Sequence, residues 1–136
     1  MENKREKAMK KVFLLSICFF GSFVYAQKVD CNKFKTGKFG SQAFPNEYII
    51  RKDSIEEAYM DGKLESVWSV KWLSDCKYEC VCIKNNGSEY VRLGDRFVSE
   101  IINSFDGNCI TLSNIYYNEE KPNGMEFQRG VCLLDN

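Results

Sequence analysis

Two cysteines separated by one residue, Cys80-Val81-Cys82, are the part of this chain best suited by type and spacing to chemistry. On an extended strand residues i and i+2 share a face, so both thiols would project together, with Cys76 close by in sequence. Soft thiolates in that arrangement suit Cu(I) or zinc. The structural alternative makes each thiol half of a disulfide to a neighbouring strand, or a small buried apolar group. Neighbours two apart on a strand are poorly placed to bond each other. We read both as disulfide cysteines with separate partners, and expect no metal and no cofactor.

Catalytic chemistry has few other footholds. The 136 residues contain no histidine, which removes the commonest general base near neutral pH and the commonest zinc ligand. Ser-His and Cys-His nucleophile pairs are thereby excluded. Glu56, Glu57, Glu119 and Glu120 remain as carboxylates. Adjacent residues on a strand point to opposite faces, so Glu56 and Glu57 are not an acid/base couple. All four read as solvated surface charges, and no enzymatic activity is expected. Arg51 has two possible roles if it shares an inward face with Ile49. It could meet a ligand carboxylate through its planar fork, or pair with Glu57, the pairing being favoured.

The elements that would position these groups are short and strand-like. Leu64 to Leu73 alternates clearly, with Trp68, Val70 and Trp72 on one face and Val67, Ser69 and Lys71 on the other; this is the period of a half-buried strand. In Lys77 to Lys84 the residues Tyr78, Cys80 and Cys82 share a face. Further strands are expected over Phe34 to Phe39, Glu47 to Arg51, Ile55 to Met60, Phe97 to Phe105, Cys109 to Tyr117 and Met125 to Leu134. Turn signals separate them: Lys52-Asp53-Ser54, Asp61-Gly62, Ser74-Asp75, Asp106-Gly107-Asn108 and Pro122-Asn123-Gly124. Asn85-Asn86-Gly87-Ser88 reads as a tight hairpin turn, followed by a short strand or helical turn over Tyr90 to Leu93. No window supports a long amphipathic helix.

About eight strands joined by consecutive hairpins predict an all-β domain, a small antiparallel up-and-down barrel, with a sandwich as the alternative. Closure also removes exposed sheet edges. The inner face would carry Trp68, Val70, Trp72, Tyr78, Phe97, Ile101, Phe105, Phe127 and Val131. The interior of so small a barrel is either filled by side chains or wide enough for one small ligand; the short chain favours filling. Were a ligand held there, Trp68, Val70, Trp72, Tyr78 and Arg51 would be its contacts.

The N-terminus reads as a targeting segment. Lys4, Arg5, Lys7, Lys10 and Lys11 precede an apolar run from Val12 to Tyr25, and Val24-Tyr25-Ala26 forms a cleavage signature. That run is shorter than the roughly 20 residues of a membrane span. Residues 1–26 are therefore expected to be a signal peptide and residues 27–136 one exported domain, periplasmic or extracellular, with no membrane span after cleavage. Over the whole chain nineteen basic and nineteen acidic residues balance, so loss of the basic prefix would leave a slightly acidic domain. It lacks the phosphate-neutralising charge that drives nucleic-acid binding. Cys18 would leave with the signal, and Cys31, Cys76, Cys80, Cys82, Cys109 and Cys132 would remain. An even count in an exported domain suggests a disulfide framework whose connectivity composition does not choose.

Gly37-Lys38-Phe39 near the start of the domain is similar to the Gly-x-Trp motif that opens the first strand of lipocalins and their calycin relatives. Cys31, the Lys33 to Phe39 segment and Asp75-Cys76-Lys77-Tyr78 also resemble small exported bacterial lipocalin-like proteins. Phe stands here in place of Trp. The resemblance implies an aromatic ring closing one barrel end against an arginine near the last strand, and Arg129 is the residue in that place. One disulfide is expected to join Cys31 to Cys76. Fold does not by itself settle function. The expectation is a non-enzymatic lipocalin-like binding module for a small apolar ligand. Its rival is a protein-interaction domain, such as an inhibitor or immunity protein, that meets a protein partner through its outer surface.

Overall fold

In the computed structural model, residues 28–135 are described; the expected signal peptide and its cleavage site lie outside them. The eight strands are β1 (Gly37–Ser41), β2 (Phe44–Arg51), β3 (Ile55–Met60), β4 (Lys63–Ser74), β5 (Lys77–Asn85), β6 (Arg96–Phe105), β7 (Cys109–Tyr117) and β8 (Met125–Leu133). Each pairs antiparallel with the next in chain order, and β8 returns to β1 through Phe39↔Leu133 and Gly40↔Cys132. The fold is a closed up-and-down antiparallel barrel.

Alternation on the strands sets what fills it. On β4 the side chains of Ser66, Trp68 and Val70 are buried while Val67, Ser69 and Lys71 are not. On β5 the buried set is Tyr78, Cys80 and Cys82. Ile110, Leu112 and Asn114 of β7 and Val131 of β8 complete the inner layer. Register shifts interrupt the ladder on β1, β3, β4 and β6. Such bulges raise the local twist that a small barrel needs in order to close.

One bulge overturns an expectation. Between Ile101 and Asn103 the β6–β7 register slips, so Ile101 still pairs with inward Leu112 but Phe105 pairs with Cys109. A single extra residue flips every side chain beyond it to the other face. Phe105 therefore lies outside, beside Gly130, and is not part of the interior.

The segment ahead of β1 is also not strand throughout. Cys31–Phe34 forms a single 3₁₀ turn, with Cys31 and Phe34 buried. This turn crosses one end of the barrel. Cys31 is disulfide-bonded to Cys76 in the β4–β5 turn, as expected, and Lys33 Nζ donates to Gly107 O and Asn108 Oδ1 in the β6–β7 turn at 2.6 and 2.8 Å. A second disulfide joins Cys109 to Cys132, directly paired across β7 and β8 at the same end. Gly37 follows at φ +134°, and a Cβ there would meet Leu133 Cδ2 at 2.7 Å. The position needs glycine both for its backbone and for space.

At the opposite end the Asn85 to Ser88 segment turns the chain, but the β5–β6 hairpin closes through a long loop and not a tight turn. Residues 86–95 form a loop, neither strand nor helix at Tyr90 to Leu93. Asn85 organises it: its Oδ1 accepts from the Gly87 and Ser88 amides, and its Nδ2 donates to Ser88 O and Val91 O. Among the described residues no helix is long and apolar enough to cross a membrane.

Candidate functional site

The closed end carries a buried polar assembly centred on Arg51, which is 2% exposed. Cross-strand partners share a face, and Arg51 stands opposite Glu56 in the β2–β3 register. Arg51 Nε donates to Glu56 Oε2 at 2.7 Å, Nη1 to Phe34 O at 3.1 Å, and Nη2 to Tyr78 Oη at 2.7 Å. The guanidinium also lies over the rings of Phe39 and Tyr78, 4.9 and 4.3 Å from their centroids. Burial disfavours its charge, yet Glu56 and the surrounding groups outweigh that and hold its pKa above the ordinary arginine range. Burial pushes the Tyr78 hydroxyl well above its usual range, so it stays protonated.

Three expectations are corrected here. The partner of Arg51 is Glu56, not Glu57; Glu57 points outward and accepts instead from Lys52 and Tyr59. Glu56 is a buried charge at 4% exposure, not a solvated one. The arginine against Phe39 comes from β2, whereas Arg129 lies at the other end, pairing with Glu47 at 3.2 Å and facing the Phe44 ring. The resemblance located the aromatic ring correctly and misplaced its cation.

Above this floor the barrel is hollow. A cavity of about 440 Å³ extends from Phe39, Glu56 and Tyr78 up to the open end, where Tyr90, Phe127 and Arg129 border it. Its apolar wall includes Trp68, Phe97, Leu112 and Val131, with the Trp68 and Phe97 rings packed 5.1 Å apart. Four buried polar side chains, Glu56, Ser66, Ser99 and Asn114, interrupt that wall. Ser66 Oγ accepts from the Trp68 indole at 2.9 Å. Ser99 neighbours the Tyr78 hydroxyl and donates to Asn114 Oδ1. Higher up, Tyr116 Oη donates to Asp95 Oδ2 at 2.6 Å; its hydroxyl is held above its usual range by burial and by that carboxylate.

The expectation of a filled interior is thus not met, and the five expected ligand contacts divide. Trp68 and Tyr78 border the cavity. Val70 belongs to the packed core below it, and Trp72 tilts against Tyr78 under the floor with Lys35 over its ring. Arg51 is spent on three protein acceptors and does not border the cavity. Sequence reasoning missed Glu56, Ser66, Ser99, Leu112 and Asn114. The signal for several was present, since Ser66, Trp68 and Val70 share one period-2 series, as do Phe97, Ser99 and Ile101, and Ile110, Leu112 and Asn114.

Cys80 and Cys82 are free thiols, contrary to their reading as disulfide cysteines. No cysteine stands across from either: Cys80 faces Val70 and Phe97, and Cys82 faces Trp68. Burial raises the pKa of both thiols, so they behave as small core groups rather than as nucleophiles. Among the described residues no three cysteine or acidic side chains gather as metal ligands. Comparison with protein-family models, with curated proteins and with solved structures finds no match for this chain. Two disulfides are compatible with an oxidising compartment.

Proposed function

We propose that this protein is an exported, non-enzymatic, lipocalin-like binding module that holds one small, largely apolar ligand inside its barrel. The observation that carries this reading is the cavity of about 440 Å³. It falls in the 300–1,000 Å³ range of small-molecule sites, which combine an apolar lining with a few placed polar groups. A barrel of eight strands has room for such a ligand only where its core residues leave the space open. Here Val70, Cys80 and the Arg51 assembly are confined to one end.

The rim gives further support. Phe44, Met60, Tyr90, Leu93 and Met125 are exposed apolar residues, and each sits at or beside a connection on the open end. Met60, Tyr90 and Phe127 also border the cavity, so exposed apolar side chains edge its mouth, as they do in ligand-binding grooves. The rival, an interaction domain working through its outer surface, is best suited by a packed interior and is therefore second. Native mass spectrometry of the protein purified from its own host tests the reading. A retained small molecule of defined mass is expected; apo protein throughout, or a stably bound protein in place of a small molecule, would count against it.

A further inference from the structure

The inner end of the cavity has a chemical sign. Glu56 is anchored through Oε2 to Arg51, while its Oε1 receives no hydrogen bond from any described residue. The single fully enclosed side-chain nitrogen or oxygen without a partner among the described residues is Arg129 Nε. Glu56 Oε1 is therefore open to the space that Glu56 borders. A carboxylate oxygen accepts hydrogen bonds and donates none. Its charge is already balanced by Arg51, so a second cation would have to be desolvated without a free counter-charge.

These facts discriminate among apolar molecules with different heads. A carboxylate head entering first would meet the Glu56 carboxylate, and Arg51 has no face on the cavity with which to receive it. A carboxylate entering last could reach Arg129 at the mouth. Its tail would then cover Glu56 Oε1 without supplying a donor, and an acceptor buried in that way is costly. A neutral hydroxyl avoids both problems. We propose, on the reading that the cavity is a ligand site, that it selects an apolar molecule whose inner end is an uncharged hydrogen-bond donor, in its simplest form a primary alcohol, donating to Glu56 Oε1.

Tryptophan emission of the folded wild-type protein, titrated near neutral pH with decanol, decanoate and a methyl alkyl ether of matched length, tests this. Decanol is expected to saturate the signal at a concentration about tenfold or more below that needed for either of the others, the worth of a hydrogen bond to a charged acceptor. Decanoate or the ether binding as tightly as decanol would overturn the assignment while leaving the ligand site standing. No saturation by any of the three would remove the ligand reading itself, and this assignment with it. In Glu56→Gln the advantage of decanol over decanoate should narrow, because the negative charge is gone. A folded variant in which that advantage is unchanged would also overturn the assignment. If the variant does not fold, the wild-type ranking decides alone.

Discussion

The two ends of this barrel are built differently. The closed end concentrates both disulfides, the 3₁₀ turn that spans the opening, and a buried arginine whose hydrogen bonds run to three different parts of the chain. The open end has a ten-residue loop, the mouth of the cavity and half-exposed ion pairs such as Arg129–Glu47. Both disulfides and the buried Arg51–Glu56 pair thus sit at one end, and the cavity lies between them and the mouth. In this molecule stability and accessibility are separated along the barrel axis. Substitutions at one end should therefore affect folding, and those at the other should affect binding.

The largest effect should come from breaking the floor. Arg51→Met leaves Glu56 buried without its partner, and loss of one member of a buried pair costs about 3–5 kcal/mol. Urea denaturation should show that loss, whereas a change below about 1 kcal/mol would mean that Glu56 regains solvent or another partner. Next comes the tie across the closed end. Replacing Cys31 and Cys76 by serine opens a loop of sequence separation 45, against 23 for Cys109–Cys132. Chain entropy assigns about 4 kcal/mol to the first and about 3.4 kcal/mol to the second. A reversed order of the two double variants, measured by the same method, would show that local packing rather than loop length governs this end.

The pH profile should report the same end. Tyr78 and Cys80 have folded pKa values raised above their ordinary values of 10.0 and 9.0 by burial. The folded state therefore keeps protons that the unfolded chain releases, so this contribution is fully present below about pH 9 and is lost as pH rises further. With no histidine in the chain, no step is expected between about pH 6 and 8. A thermal-stability profile that drops in that neutral window would contradict this account. The smallest effect on folding is expected at the rim. Tyr90→Ser, at an 86% exposed position, should change stability by less than about 0.5 kcal/mol.

The barrel itself was legible in the sequence because period-2 alternation survives on β4, β5 and β7, and because turn residues fall between them. What escaped was everything that depends on register. The extra residue between Ile101 and Asn103 leaves no compositional trace, so Phe105 read as interior. Choosing Glu56 over Glu57 as the partner of Arg51 requires knowing that the β2–β3 connection sets Arg51 opposite Glu56. An even cysteine count points Cys80 and Cys82 toward disulfides, but it carries no information about which residues face them across the sheet. Hollowness was invisible for a related reason: the inner residues were identifiable, but not the distance between facing walls.

The division of the barrel into floor and site rests most directly on its two tryptophans, since Trp68 borders the cavity and Trp72 packs beneath its floor. Emission from two single-tryptophan proteins, Trp72→Phe and Trp68→Phe, should be followed during titration with an apolar alcohol. The account predicts a saturable spectral shift in Trp72→Phe, which retains Trp68, and little or none in Trp68→Phe. A flat response from the folded Trp72→Phe protein, or a shift arising only from Trp72, would contradict it.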